Sequence, residues 1–399
     1  MARKSRKSKE LEKEILSNVP VEQRKMITQP ITYTYLNGEM SMTQTRIQTM
    51  IMERLQDRIT KALARKASGG YTGDLFTDDD FKPLPGGKTP FLTFEVRYSE
   101  LGVLPANYKD VDEAARAMQS IVYEKDVTDE HGLPAKEYTV VFDKVTIPEK
   151  DKSGESSVRR DSIKLRMLPE TAHDVFNLSR YHRYLKDAIF QFSSNYAGRI
   201  YLMINANKNL GTWSISYESL RKILLTSYDR ETKKVTVDKY RAIGDFKKRV
   251  LEPARKEILE AADRIDCTFD YEFTYPAGKR RGTPENVVFH IHLTDLGRNI
   301  SRALLESQEA SELRKLLLSL HLNAAEASRL MKEAWKQLPS AQYSRLMKKA
   351  LELRQYYAEN TVNDMRAYTL TSLRNFIAEQ AENPDPVEQQ PVEMEEWGD

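Results

Sequence analysis

A chain of 399 residues with 40% hydrophobic residues predicts two or three globular domains, each able to bury a core. One cysteine rules out an intrachain disulfide framework. No apolar run reaches the roughly 18 residues that a membrane span requires, and residues 1–25 have no apolar signal region, so a soluble, cytoplasmic protein is expected. The net charge of +3 is too small to argue for a polyanion partner by itself, so the placement of charge must carry that question.

The placement is uneven. Residues 1–25 hold eight Lys or Arg against four acids and read as a basic arm. Residues 379–399 hold eight acids and no base, and 381–399 read as an acidic, disordered tail. Between them, Thr43 to Arg65 has helical spacing through Ile47, Ile51, Leu55 and Ile59. A Gly, Pro and Asp-rich loop follows over 68–90. Its Pro85-Gly86-Gly87-Lys88-Thr89 looks like half of a phosphate-binding loop, but the first glycine is replaced by Lys82 and Pro90 blocks the next helix, so no nucleotide site is expected.

Thr93 to Leu101 reads TFEVRYSEL and Thr212 to Leu220 reads TWSISYESL, with aromatic, aliphatic, Tyr and Leu in register. Thr45 to Ile51 likewise matches Gly198 to Ile204 at four of seven positions. The spacing of the two pairs differs by 34 residues, which the first copy's extra Gly-rich loop absorbs. Each copy then continues with a second helix, Tyr108 to Tyr123 or Lys239 to Ala262, and a hairpin, Tyr138 to Leu168 or Cys267 to Leu293. We therefore expect an α+β, predominantly helical chain built as two tandem domains of one fold, 26–170 and 171–295. A helical extension over 296–380 follows, with stripes Leu313, Leu316, Leu317, Leu320 and Leu346, Ala350, Leu353, Tyr357.

The two copies differ in charge. In the second, Ile243, Phe246, Val250, Ala254 and Ile258 share one helical face, while Arg241, Lys248, Arg249, Arg255 and Lys256 share the opposite one. Lys247 falls near the apolar edge, where a half-buried stem is expected. The hairpin carries Gly278-Lys279-Arg280-Arg281-Gly282 at its tip, which suits phosphate better than packing. A basic helix and a basic hairpin are the two parts that a winged-helix domain offers to a DNA duplex. In the first copy the outer face of the second helix mixes Lys109 and Arg116 with Asp110, Asp112 and Glu113, and only Arg159 and Arg160 near its hairpin turn suit DNA. The second copy is thus the main reader, and the first serves self-association and auxiliary DNA contact.

Ser194 to Tyr201 (SNYAGRIY), Thr212 to Arg221 (TWSISYESLR) and Phe246 to Ile258 (FKKRVLEPARKEI) together resemble the iteron-binding plasmid replication initiators, the Rep proteins with two winged-helix domains. The resemblance is close over about residues 176 to 293 and looser over 26 to 170. It implies a bacterial, plasmid-encoded initiator that binds directly repeated origin sites in double-stranded DNA, helps open an adjacent AT-rich segment and brings in the host replication initiator and helicase machinery. It also implies a homodimer in equilibrium with monomer, formed through the first domain and repressing its own gene. By motif position it assigns Lys247, Lys248 and Arg249 to the major-groove helix and Arg199 to the DNA backbone. Lys239, Arg241, Arg255, Lys256, Lys279, Arg280, Arg281, Arg159 and Arg160 complete the expected DNA-contacting set. The helical extension and acidic tail go beyond the family's core.

A winged-helix transcriptional repressor uses the same modules and is the alternative among DNA-binding functions. An enzyme reading rests on His290-Ile291-His292, which fits the His-hydrophobe-His pattern of metal-dependent rolling-circle nickases, with Tyr343, Tyr356 or Tyr357 as nucleophile. Alternate positions of a strand put both histidines on one face with or without a metal. We therefore expect a non-enzymatic protein with no catalytic residues, no cofactor and no metal.

Overall fold

The computed structural model describes residues 25–67, 73–81, 91–147, 162–229, 231–232, 234–237, 239–278, 282–337, 342–360, 362 and 364–382. The expected basic arm before residue 25, the loop at 85–89, the acidic tail beyond 382, and Arg159, Arg160, Lys279, Arg280 and Arg281 lie outside the described residues. The chain divides into two compact units, residues 1–298 and 299–399. Both repeat copies fall in the first.

The first copy opens on β1 (Met26–Pro30), a helical turn at Ile31–Thr34 and the long helix α1 (Met42–Ala67). It continues through β2 (Leu92–Arg97), α2 (Tyr108–Ala117), the hairpin β3 (Val122–Thr128) and β4 (Pro134–Val140), then β5 (Lys144–Thr146) and β6 (Ser162–Met167). After α3 (Pro169–Val175), β7 (Tyr181–Leu185) pairs antiparallel with β1, Met26 opposite Leu185. The chain's first described strand is therefore seated on the strand that opens the second copy. That copy comprises α4 (Lys186–Gln191), α5 (Ala197–Ala206), β8 (Thr212–Ser216), α6 (Tyr217–Leu225), the short pair β9 (Ser227–Asp229) and β10 (Lys234–Thr236), the helix α7, and the hairpin β11 (Cys267–Thr274) and β12 (Asn286–Leu293). α7 is continuous from Ile243–Phe246 through Lys247–Leu251 to Glu252–Glu260.

The repeat has a structural counterpart. The sheets run β2-β6-β5 and β8-β12-β11, so in each copy the early strand lies against the last strand of the copy and stands at an edge. The matched segments both change from strand to helical turn at their tyrosine, and Tyr98, Tyr217, Leu101 and Leu220 are all buried. Alternation up to the tyrosine followed by helical spacing to the leucine accounts for that change. The copies meet along α1 and α5. The Met42 N–H donates to the Asn195 side-chain oxygen at 3.2 Å, and a Cβ on Gly198 would stand 3.0 Å from the Met42 sulfur and 3.3 Å from a Thr45 methyl. A side chain at 198 would press on the end of Met42 and on Thr45, which would have to give by a few tenths of an ångström.

Several expectations are corrected. The helix expected over 108–123 ends at Ala117 with a further tight turn through Ser120, and Val122 opens a strand. Main-chain bonds between Val122 and Asn37 in both directions, at 3.0 Å, hold that strand start in place. The hairpin expected over 138–168 is two structures: Tyr138 belongs to β4 and faces Glu124 of β3, while β5 pairs with β6. Asp112 is buried rather than on the outer face, because it accepts the Tyr98 hydroxyl at 2.5 Å. The basic helix runs from Ile243 to Glu260, not from Lys239 to Ala262. Tyr240 adopts a left-handed conformation, φ +48°, that a helix cannot include.

The second unit consists of the helices α8 (Asp295–Ser319, from Asn299 onward), α9 (Ala324–Gln337), α10 (Gln342–Glu359) and α11 (Met365–Glu382). The two leucine stripes meet in its core with Leu330, Leu373 and Ile377. Leu338-Pro339-Ser340, between α9 and α10, lie outside the described residues. Among the described residues no helix is long and apolar enough to cross a membrane.

Candidate nucleic-acid interface

The apolar face of α7 fixes the helix on its own sheet. Phe246, Val250, Leu251, Ala254 and Ile258 are all wholly buried, and Phe246 meets the Tyr217 ring edge-on at 5.4 Å. At the base of the hairpin, Asp266 accepts from the Tyr201 hydroxyl at 2.5 Å, Asn205 at 2.7 Å and the Lys208 ammonium at 2.6 Å. A buried carboxylate with three donors, one of them charged, has its desolvation offset where it stands. Beside it His182 contacts Thr34 at 2.8 Å and the Asn205 side-chain oxygen at 3.1 Å, and burial pulls its pKa from 6.5 to about 4. As Asn205 presents oxygen, the neutral ring donates from Nδ1 and accepts the Thr34 hydroxyl at Nε2. Cys267 is buried, and burial raises its thiol pKa well above the ordinary value. That is a packing role, as its strand position suggests.

The outer face of α7 is where the expected contact residues gather, and the structure ranks them. Lys248 and Arg249 are exposed and, among the described residues, make no ion pair. The Arg249 guanidinium stands 5.8 Å from the centre of the Tyr240 ring, which is braced edge-on by Tyr196 at 6.5 Å. Lys247 is exposed, not half-buried, and stands 3.9 Å from Glu252. Lys256 lies 4.0 Å from Glu260. Arg255 is tied to Asp270 of β11 at 2.5 Å, and that hydrogen bond holds the Asp270 pKa below its ordinary value. Arg255 therefore braces helix against hairpin, and must leave a carboxylate to reach a phosphate. Arg241 is exposed just before the helix, and Lys239 is held 2.5 Å from Glu39 of the first copy. Glu39 also accepts the Tyr196 hydroxyl at 3.1 Å.

Arg199 is a correction. It is only 2% exposed and donates to the Leu36 carbonyl and the Met40 sulfur, both at 2.6 Å. Among the described residues no carboxylate pairs with it, and burial lowers its pKa to about 10. It ties α5 to the segment after β1 and cannot touch a DNA backbone. A signal was available: AGRIYLMIN is apolar on every side of the helix, the pattern of an element buried all round.

Sequence reasoning also missed a feature of α7. Lys247–Leu251 form a wide π turn, in which the Glu252 N–H reaches back to the Lys247 carbonyl. Its signal is Pro253, which has no N–H to continue a regular helix and whose ring collides with the carbonyl four residues back. Across the hairpin His290 stands 3.4 Å from Glu272, and His292 stands 3.4 Å from Asp270. Among the described residues no group of three or more His, Cys, Asp or Glu could hold a metal ion.

A helix packed on a three-stranded sheet by one face, basic on the other, and followed at once by a two-stranded hairpin is a winged-helix arrangement. Residues 230–291, which contain α7 and nearly all of that hairpin, match the family described as "Initiator Rep protein, WH2". The match supports the plasmid replication initiator Rep family, and with it DNA binding and replication initiation. No curated protein matches the chain.

Proposed function

We propose that this chain is a plasmid replication initiator that binds directly repeated origin sites through two tandem winged-helix domains. The observation that carries the reading is the family match at 230–291, falling on the helix that presents Lys247, Lys248 and Arg249 to solvent. α7 enters the major groove, where Arg249 and the lysines meet base edges and phosphates, and the hairpin tip with Lys279, Arg280 and Arg281 grips the backbone beside it. The common strand order of the two sheets supports reading the first half as a second copy, which adds auxiliary contact and self-association. Bound copies help open the adjacent duplex and bring in the host replication initiator and helicase machinery, and a dimer represses the chain's own gene.

Footprinting on DNA flanking the gene tests the reading. Protection of several direct repeats of about 20 base pairs, with plasmid maintenance lost when the chain is inactivated, is the expected result. A single protected operator, with maintenance unaffected, would favour the transcriptional repressor. We also read the chain as non-enzymatic: metal-dependent nicking of origin DNA that disappears in His290→Ala would overturn this.

A further inference from the structure

A regular α-helix over 243–260 would turn Lys247 inward and leave Phe246 at the margin of the apolar face. Reading back from Ala254, Ile258 and Ala261 at about 100° per residue, the inward positions are Val250, Leu251 and then Lys247, and Phe246 falls about 80° to one side. The side chains are placed otherwise, with Phe246 wholly buried and Lys247 exposed. The π turn at Lys247–Leu251 accounts for the difference. Closing its hydrogen bond one residue further back takes up one extra residue, so the residues before the turn are rotated by about 100° relative to those after it. Two residues favour this geometry from opposite sides. Pro253 removes the regular alternative, since it would have to sit against the Arg249 carbonyl with no hydrogen to offer. Phe246 rewards the wide turn by burial against Tyr217.

We propose that Pro253 and the wide turn are the positioning device of the reading helix: they turn Lys247 outward to join Lys248 and Arg249 and thereby set which base pairs the three side chains reach. The proposal rests on the reading of α7 as the DNA-contacting helix. Pro253 is itself exposed, so it acts through the backbone and contributes no core contact that its replacement would remove.

The test uses the full chain and a duplex selected by it from a pool with about 20 randomised base pairs. Two variants remove the same charge. Lys247→Ala keeps the wide turn, whereas deletion of Lys247 combined with Pro253→Ala restores a regular helix with Phe246 inward. The deletion variant is expected to lose preference for the selected duplex over a scrambled one by about tenfold more than Lys247→Ala. Affinity for the scrambled duplex at low salt should match between the two, because phosphate attraction follows charge. Equal preference in the two variants would overturn the proposal. Should the deletion variant not fold, Pro253→Ala alone is expected to shift the selected bases, and an unchanged selection would overturn it equally. A full chain that selects no sequence at all would instead refute the reading of α7, and the proposal with it.

Discussion

His182 should make the first unit sensitive to mild acid. Its pKa is about 4 in the folded chain against an ordinary 6.5, because the ring is buried and both nitrogens are committed while neutral. Between those values the unfolded chain holds the proton and the folded chain does not, so stability rises with pH across the window. The contribution is fully present above pH 6.5 and is lost as pH falls towards 4. A shift of this size amounts to about 3 kcal/mol over the whole window, of which about 2 kcal/mol is lost between pH 7.5 and 5. His182→Gln keeps a neutral, hydrogen-bonding side chain and removes the titration. Urea unfolding of the full chain and of this variant across pH 5 to 7.5 isolates the effect, since titrations common to both cancel in the difference. The variant is expected to start lower at pH 7.5 and then lose about 2 kcal/mol less than the native chain on acidification. Parallel profiles would show that the histidine is not held neutral by its surroundings.

Replacing Lys247, Lys248 and Arg249 together with Ala should abolish preference for the selected duplex in a chain whose thermal unfolding is unchanged, since all three are exposed. The slope of log affinity against log salt should flatten by about 0.9 for each phosphate that is no longer neutralised, and an unchanged slope would remove these residues from the phosphates. Gly297→Ala should destabilise the first unit by about 2 kcal/mol or more, because a Cβ there would lie 1.9 Å from the Asp266 carbonyl oxygen; a urea midpoint within error of the native one would contradict this. Removing residues 383–399 should raise affinity for random duplex modestly at low salt and leave site preference alone, as expected if the acidic tail competes for basic surface. The cut belongs after Glu382, not earlier, because Ile377 is buried and Gln380 accepts from Arg345 at 3.1 Å.

The sequence was most readable where burial imposes a period. The TFEVRYSEL and TWSISYESL segments alternate and then change to helical spacing, and the change falls where each strand ends. The leucine stripes of the second unit were legible for the same reason. By contrast VYEKDVT and PAKEYTV carry charge on both faces of a largely exposed hairpin, so no apolar alternation announces β3 and β4. A helical wheel also assumes one fixed angle per residue, and α7 departs from it at the stretch that bears the candidate contacts. Arg199 was misplaced because the resemblance assigned it to the DNA backbone by motif position alone. Main-chain carbonyls and a thioether accept from its terminal nitrogens instead, and the pattern of charges along the chain does not register such partners.

The seam between α1 and α5 bears on how such a chain could arise. In the alignment of the two copies, Met42 corresponds to Asn195 and Thr45 to Gly198, and these same pairs stand against each other in space. Matching positions come face to face where a two-fold axis passes between them, the signature of an isologous contact. The junction has the form of a homodimer interface within one polypeptide, with a side chain on one side of the axis and glycine on the other. A surface already turned inward in this way is no longer open to a second molecule. Pairing of whole chains must then recruit other ground, and β2, an edge strand among the described residues, is one such place.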